Sequence, residues 1–141
     1  MAANTSPIFS NLGAIQWAPT SVAAANTAKD GTGTVSTIFT GNATGNAAGN
    51  FVQKLIARPL GTNVATVLRV FINNGAANTT AANNSLLAEL SLPATTLTEA
   101  AAQPDFVLPL NFALPAGFKI NATLGTAVAA GFQVSVVGGQ Y

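Results

Sequence analysis

The strict alternation of apolar residues in the last third of the chain limits its fold more than any other feature. Phe106, Leu108, Leu110, Phe112 and Leu114 fall at every second position, with Val107, Pro109, Asn111 and Ala113 between them. A period of two places one set of side chains on one face of an extended strand, whereas a helix would spread the same residues around its circumference. The period returns in Phe118, Ile120, Ala122 and Leu124, set against Lys119, Asn121 and Thr123, and again in Phe132, Val134 and Val136. Upstream, Leu86, Ala88, Leu90 and Leu92 alternate with Leu87, Glu89 and Ser91. Thr66, Leu68, Val70 and Ile72 share a face opposite Arg69.

Turn residues divide these runs. Pro59 stops the segment from Phe51 to Arg58, and Gly61-Thr62-Asn63 follows as a turn. Asn73-Asn74-Gly75 opens a polar loop that reaches Asn84, and Pro115-Ala116-Gly117 carries a turn signature. The β-branched stretch Thr34 to Thr40 runs into a loop containing Gly41, Gly45 and Gly49. Pro109 lies on the outward face of its strand and lacks a ladder donor, which predicts an edge position or a bulge. Short helical turns are conceivable at Ser21–Ala28 and Thr96–Ala102, but neither carries a 3.6-residue stripe and Pro104 stops the second.

Seven or eight short strands without a long helix predict an all-β fold, an antiparallel β-sandwich or jelly-roll-like body over residues 34–141. Residues 1–33 have isolated apolar side chains (Ile8, Phe9, Leu12, Ile15, Trp17) among Asn, Ser, Thr, Gly and Pro. They read as an extended N-terminal arm that joins the body late or docks on a neighbour. A first edge strand followed by a loop is the alternative reading.

Chemistry is constrained by what the chain lacks. It has no Cys and no His, so thiol catalysis, disulfides and zinc sites built on those ligands are excluded. No metal or cofactor is expected, and no catalytic residue either. Glu89 and Asp105 are the only strand-associated acids, and their spacing does not recommend a carboxylate pair. Gly31-Thr32-Gly33 lacks the remaining glycine and the helix of a dinucleotide fingerprint, and no Walker lysine follows a glycine cluster.

Only 6% of the residues are charged, against about 25% in an ordinary soluble domain. Five Lys or Arg and four Asp or Glu leave a net charge of +1. Such a balance gives no field for nucleic acid or an anionic membrane, so neither is an expected partner. No run approaches 18 apolar residues, and the first residues lack the basic and apolar regions of a secretory signal, which predicts a product made in a cytoplasm. Few charges and near-zero net charge favour association, and Asn, Thr, Ser and Ala lose little rotamer freedom when covered. The chain therefore reads as a structural subunit that works by protein–protein contact. Ile8, Phe9, Ile15 and Trp17 in the arm, with Tyr141 at the other end, are its candidate partner-binding residues, and Trp17 is the leading anchor.

Four segments carry a resemblance: Leu68-Arg-Val-Phe-Ile-Asn-Asn-Gly75, Leu86-Leu-Ala-Glu89, Leu114-Pro-Ala-Gly-Phe-Lys-Ile-Asn-Ala122, and the ending from Phe132 to Gly139-Gln-Tyr141. Together they resemble small virion structural proteins of tailed bacteriophages, over about the last half of the chain. Gln140 stands where those proteins usually have an acid. The resemblance implies a β-sandwich on the virion: a capsid decoration (cement) protein that binds the major capsid protein or other virion subunits and forms a homo-oligomer, typically a trimer. A tail or fibre-tip receptor-binding module is the runner-up, and a pilin-like surface subunit stands behind it.

Overall fold

The computed structural model describes residues 12–42 and 49–141. Its elements in chain order are β1 (Leu12–Trp17), β2 (Ser36–Thr40), β3 (Asn50–Pro59), β4 (Thr66–Asn73), a short 3-10 turn (Ala81–Asn83), β5 (Asn84–Leu92), β6 (Phe106–Leu114), β7 (Lys119–Leu124) and β8 (Phe132–Gln140). They form two four-stranded sheets. Sheet A has the order β1-β8-β3-β6 and sheet B the order β2-β7-β4-β5, with every pairing antiparallel.

The inward rows of both sheets meet in one core. Val52, Leu55, Ala57, Phe132, Val134 and Val136 come from sheet A; Ile38, Phe39, Leu68, Val70, Ile120, Ala122 and Leu124 come from sheet B. The period-two residues of β4, β7 and β8 are therefore the core. The inward row of β6 (Phe106, Leu108, Leu110, Phe112) packs partly buried against it. Phe106 meets the ring of Phe132 edge-on at 6.4 Å between centroids.

Bulges mark three of the four sheet edges. On β6 the register slips between its pairings with Val52 and Lys54, and Asn111 adopts φ 54°, a left-handed conformation that asparagine tolerates. Pro109 is thus on an edge strand beside a bulge, and both features discourage pairing with another chain. On β5 the slip falls at Leu87, between the partners of Val70 and Phe71. On β2 it falls at Ile38, so that two consecutive side chains, Ile38 and Phe39, both enter the core. Strand β1 is regular throughout.

The N-terminal region departs from the expected arm. Residues 1–11, with Ile8 and Phe9, lie outside the described residues. From Leu12 onward the chain is part of the body: β1 pairs with β8 from Leu12↔Gln140 to Trp17↔Ser135. The sandwich therefore starts at residue 12 rather than 34. The physical reason is the ladder with β8, together with Ala14 and Gln16 facing inward. Ala14 packs on the core, and the Gln16 amide donates to the Thr40 carbonyl at 3.0 Å while accepting the Thr40 N–H at 2.9 Å. One glutamine thus satisfies the edge of β2 across the two layers.

After β1 the chain crosses to sheet B. Ala18 and Val22 are buried, and Val22 exchanges backbone hydrogen bonds with Phe132 at 2.9 and 3.0 Å. Ala25 then bridges Leu124, and Asn26 accepts a bond from Arg69 through its carbonyl at 3.0 Å.

Candidate interaction surface

The outer faces of the two sheets differ. On sheet B, Arg69, Phe71 and Asn73 of β4 and Asn121 and Thr123 of β7 point away from the core by strand alternation. Phe71, Asn73, Asn121 and Thr123 are nevertheless buried. The segment 25–34 runs over them. Asn78 donates to the carbonyls of Gly31 and Gly33 at 3.1 and 2.9 Å, and Asn26 donates to those of Thr32 and Thr34 at 2.7 and 3.0 Å. Thr37 donates its hydroxyl to Asn121 at 2.9 Å. Over β7 and β4 this face is closed by the chain itself, whereas Leu86, Glu89 and Ser91 of β5 stay exposed.

No described segment runs over the outer face of sheet A, where the edge strands β1 and β6 are exposed, the central strands β8 and β3 are half-buried and Gly139 is buried. Its cross-strand rows follow directly from the register. Trp17, Ser135, Ile56 and Val107 form one row across all four strands; Ile15, Val137, Lys54 and Pro109 form the next; Gly13, Gly139, Phe51 and Ala113 form a third. Four strands place Trp17 and Val107 roughly 14 Å apart. Trp17 is 60% exposed, Ile15 59% and Val107 45%. Lys54 is the one charged side chain in these rows. The neighbouring Arg58 is held by Asp105 in a two-pronged pair, at 2.6 and 2.9 Å. An outward sheet face on which aliphatic and aromatic residues outnumber charges is the pattern of a surface meant to be covered.

The sequence-derived candidates separate here. Ile15 and Trp17 lie two apart on β1 and share this face. Tyr141 does not join them: its N–H meets the Gly49 carbonyl at 3.4 Å, at the other end of β8. Ile56, Val107, Pro109 and Val137 belong to the same surface but carried no weight in the sequence reading. Their signal was apolar residues at the outward positions of β6, where a wet face would place polar ones.

The described acids are dispersed, and no group of three or more Asp or Glu comes together among them. Three are held in the ionised form. Asp105 lies below the usual carboxylate range because Arg58 bonds it, Glu89 because Arg69 bonds it with Lys29 nearby, and Asp30 because the Thr32 hydroxyl and N–H bond it. A general acid needs the opposite displacement. The cleft of about 630 Å³ between Gln16, Thr40 and Asn50 is lined by neutral side chains.

These depressed carboxylates set a pH dependence. Their stabilisation is complete above the ordinary Asp and Glu values and is lost as pH falls through the depressed folded-state values. With neither His nor Cys in the chain, no side chain of those types titrates near neutrality. Thermal unfolding followed by circular dichroism should give a midpoint that is flat from roughly pH 5.5 to 8.5 and falls below about pH 4. A steep change between pH 6 and 8 would contradict this account.

No family model, no curated protein and no solved structure matches this chain.

Proposed function

We propose that this chain is a virion structural protein, a capsid decoration (cement) subunit that reinforces a shell through protein–protein contacts. The observation that carries the reading is the apolar outer face of sheet A, which no described segment covers, in a chain with so few charges. The segmental resemblance to phage virion proteins supplies the setting. A β-sandwich whose own chain covers much of one outer face and, among the described residues, leaves the other open is suited to lie flat on a lattice of subunits. Its rigid strands pre-set the contact side chains, so ordering them on binding costs little.

Imaging of purified particles at a resolution that shows strands tests the proposal. The expected result is density for the sandwich on the capsid lattice, with sheet A turned toward the shell. A position at the tail end would replace the proposal with the fibre-tip reading. Absence from particles would end both.

A further inference from the structure

The four sheet edges differ in their capacity to pair with another chain, and β1 stands apart. Strands β2, β5 and β6 are bulged, and β6 also carries Pro109. Strand β1 has six residues in regular register, with no bulge, no proline and no charge. Its backbone geometry shows which groups are left over. Ala18 donates its N–H to the Val134 carbonyl at 3.0 Å, just beyond the strand. In an antiparallel ladder the residues bonded to the neighbouring strand alternate with those facing away from it. Residues 18, 16, 14 and 12 therefore face β8, and Gly13, Ile15 and Trp17 direct their N–H and C=O groups to the open edge. Among the described residues no hydrogen bond joins the edge groups of Gly13, Ile15 and Trp17 to the rest of the chain.

We infer that β1 pairs antiparallel with β1 of a second copy of this chain, on a two-fold axis through Ile15. That register sets Ile15 opposite Ile15 and Gly13 opposite Trp17 of the other copy, and it makes roughly six hydrogen bonds, two for each facing pair. The arrangement is self-complementary, as an isologous contact must be. It is also complementary in shape. A side chain at Gly13 would meet nothing within 4 Å, so the space above it is open, and Trp17 is largely exposed. The indole of one copy fits over the glycine of the other, a pairing that shields a bare backbone in sheets. With no charge on β1, the axis brings no like charges together. The product is an eight-stranded sheet whose outer face joins two copies of the surface described above. This two-fold pairing takes the place of the trimer that the family resemblance implies, and it stands or falls independently of the virion assignment.

Sedimentation of the full chain over a range of concentrations, together with that of Ile15→Pro, tests the inference. The Ile15 N–H points away from β8, so proline there removes an edge donor without breaking a bond inside sheet A. The expected result is a concentration-dependent dimer for the native chain and at least about tenfold weaker association for the variant, with an unchanged circular dichroism spectrum. Because the chain has no cysteine, Ile15→Cys offers a second readout that does not depend on the proline variant folding. On the two-fold axis its sulfurs come within disulfide reach, so oxidation should give a covalent dimer, while Val107→Cys on the opposite edge should not. A native chain that stays monomeric at high concentration, or a dimer that survives Ile15→Pro, would overturn the inference. So would Ile15→Cys that fails to cross-link.

Discussion

Replacing Asn63 with alanine is expected to cost about 2–5 kcal/mol of stability. Asn63 is 3% exposed. Its Oδ1 accepts the N–H groups of Ala130 and Gly131 at 2.9 and 3.0 Å, and its Nδ2 donates to the Gly131 carbonyl at 3.0 Å. Its backbone exchanges bonds with Thr95 at 3.0 and 2.9 Å, and the Thr95 hydroxyl reaches the Gly61 carbonyl at 2.9 Å. One side chain thus ties the β3–β4 turn to the β7–β8 loop, where Gly131 holds φ 80°. Truncation strands the N–H groups of Ala130 and Gly131 in a buried place, each at about 1–3 kcal/mol unless water recovers part of the loss, while the Gly131 carbonyl keeps the Leu60 N–H at 3.0 Å. Urea unfolding followed by circular dichroism measures the change.

The isosteric change Asn63→Asp gives the same site a sharper signature. It keeps both accepted bonds but turns an oxygen toward the Gly131 carbonyl, so the ionised form is buried against a like partial charge. Burial and repulsion raise the folded-state pKa of that aspartate above its unfolded value and outweigh the lowering by the two accepted N–H bonds. The stability it contributes is then present at low pH and is lost as pH rises through the raised value. The gap between this variant and the native chain should therefore narrow between pH 7 and pH 4.5. A gap that is constant, or that widens in acid, would show that the two accepted N–H bonds outweigh burial and the Gly131 carbonyl.

The same residue illustrates what sequence reasoning reaches. Gly61-Thr62-Asn63 was legible as a turn, because its residue types suit one. That its asparagine binds a loop almost half the chain away was not, since any of the many asparagines could do so. Those in the β4–β5 loop are used the same way: Asn73 bonds Asn84 and Asn74 bonds Asn83, at 2.8 and 3.1 Å. A composition that reads as polar loop is in fact an internal scaffold. Strands β6, β7 and β8 were legible because their inward positions carry the larger apolar residues. Strand β1 inverts that rule. It presents Ile15 and Trp17 outward and Ala14 and Gln16 inward, so its pattern fitted a loose arm as well as the first edge strand that it forms. The bulge in β2 hides its period by sending Ile38 and Phe39 the same way. The candidate surface was half visible: Trp17 and Ile15 stood out as anchors, but the row joining Trp17 to Ile56 and Val107 exists only once β8 lies between β1 and β3.

Aspartate at Val107 is expected to weaken attachment to particles about a hundredfold while leaving the fold intact. Val107 faces outward on sheet A and lies on an edge strand at 45% exposure, where substitutions usually change stability by about 0.5 kcal/mol or less. If this face is pressed against a subunit, the new carboxylate is desolvated without a partner. That penalty is about 2–5 kcal/mol, and roughly 2.7 kcal/mol corresponds to a hundredfold loss. Ser91→Asp on β5 places the same charge at an exposed site on the other sheet and should bind as the native chain does. Val107 sits three strands from β1, so its aspartate leaves the Ile15 axis untouched and separates particle attachment from self-pairing. Co-sedimentation with particles stripped of the protein gives the readout. Binding that survives charge on sheet A but is lost with Ser91→Asp would mean that the sandwich presents its other side, and the uncovered rows from Trp17 to Val107 would have to be explained without a shell.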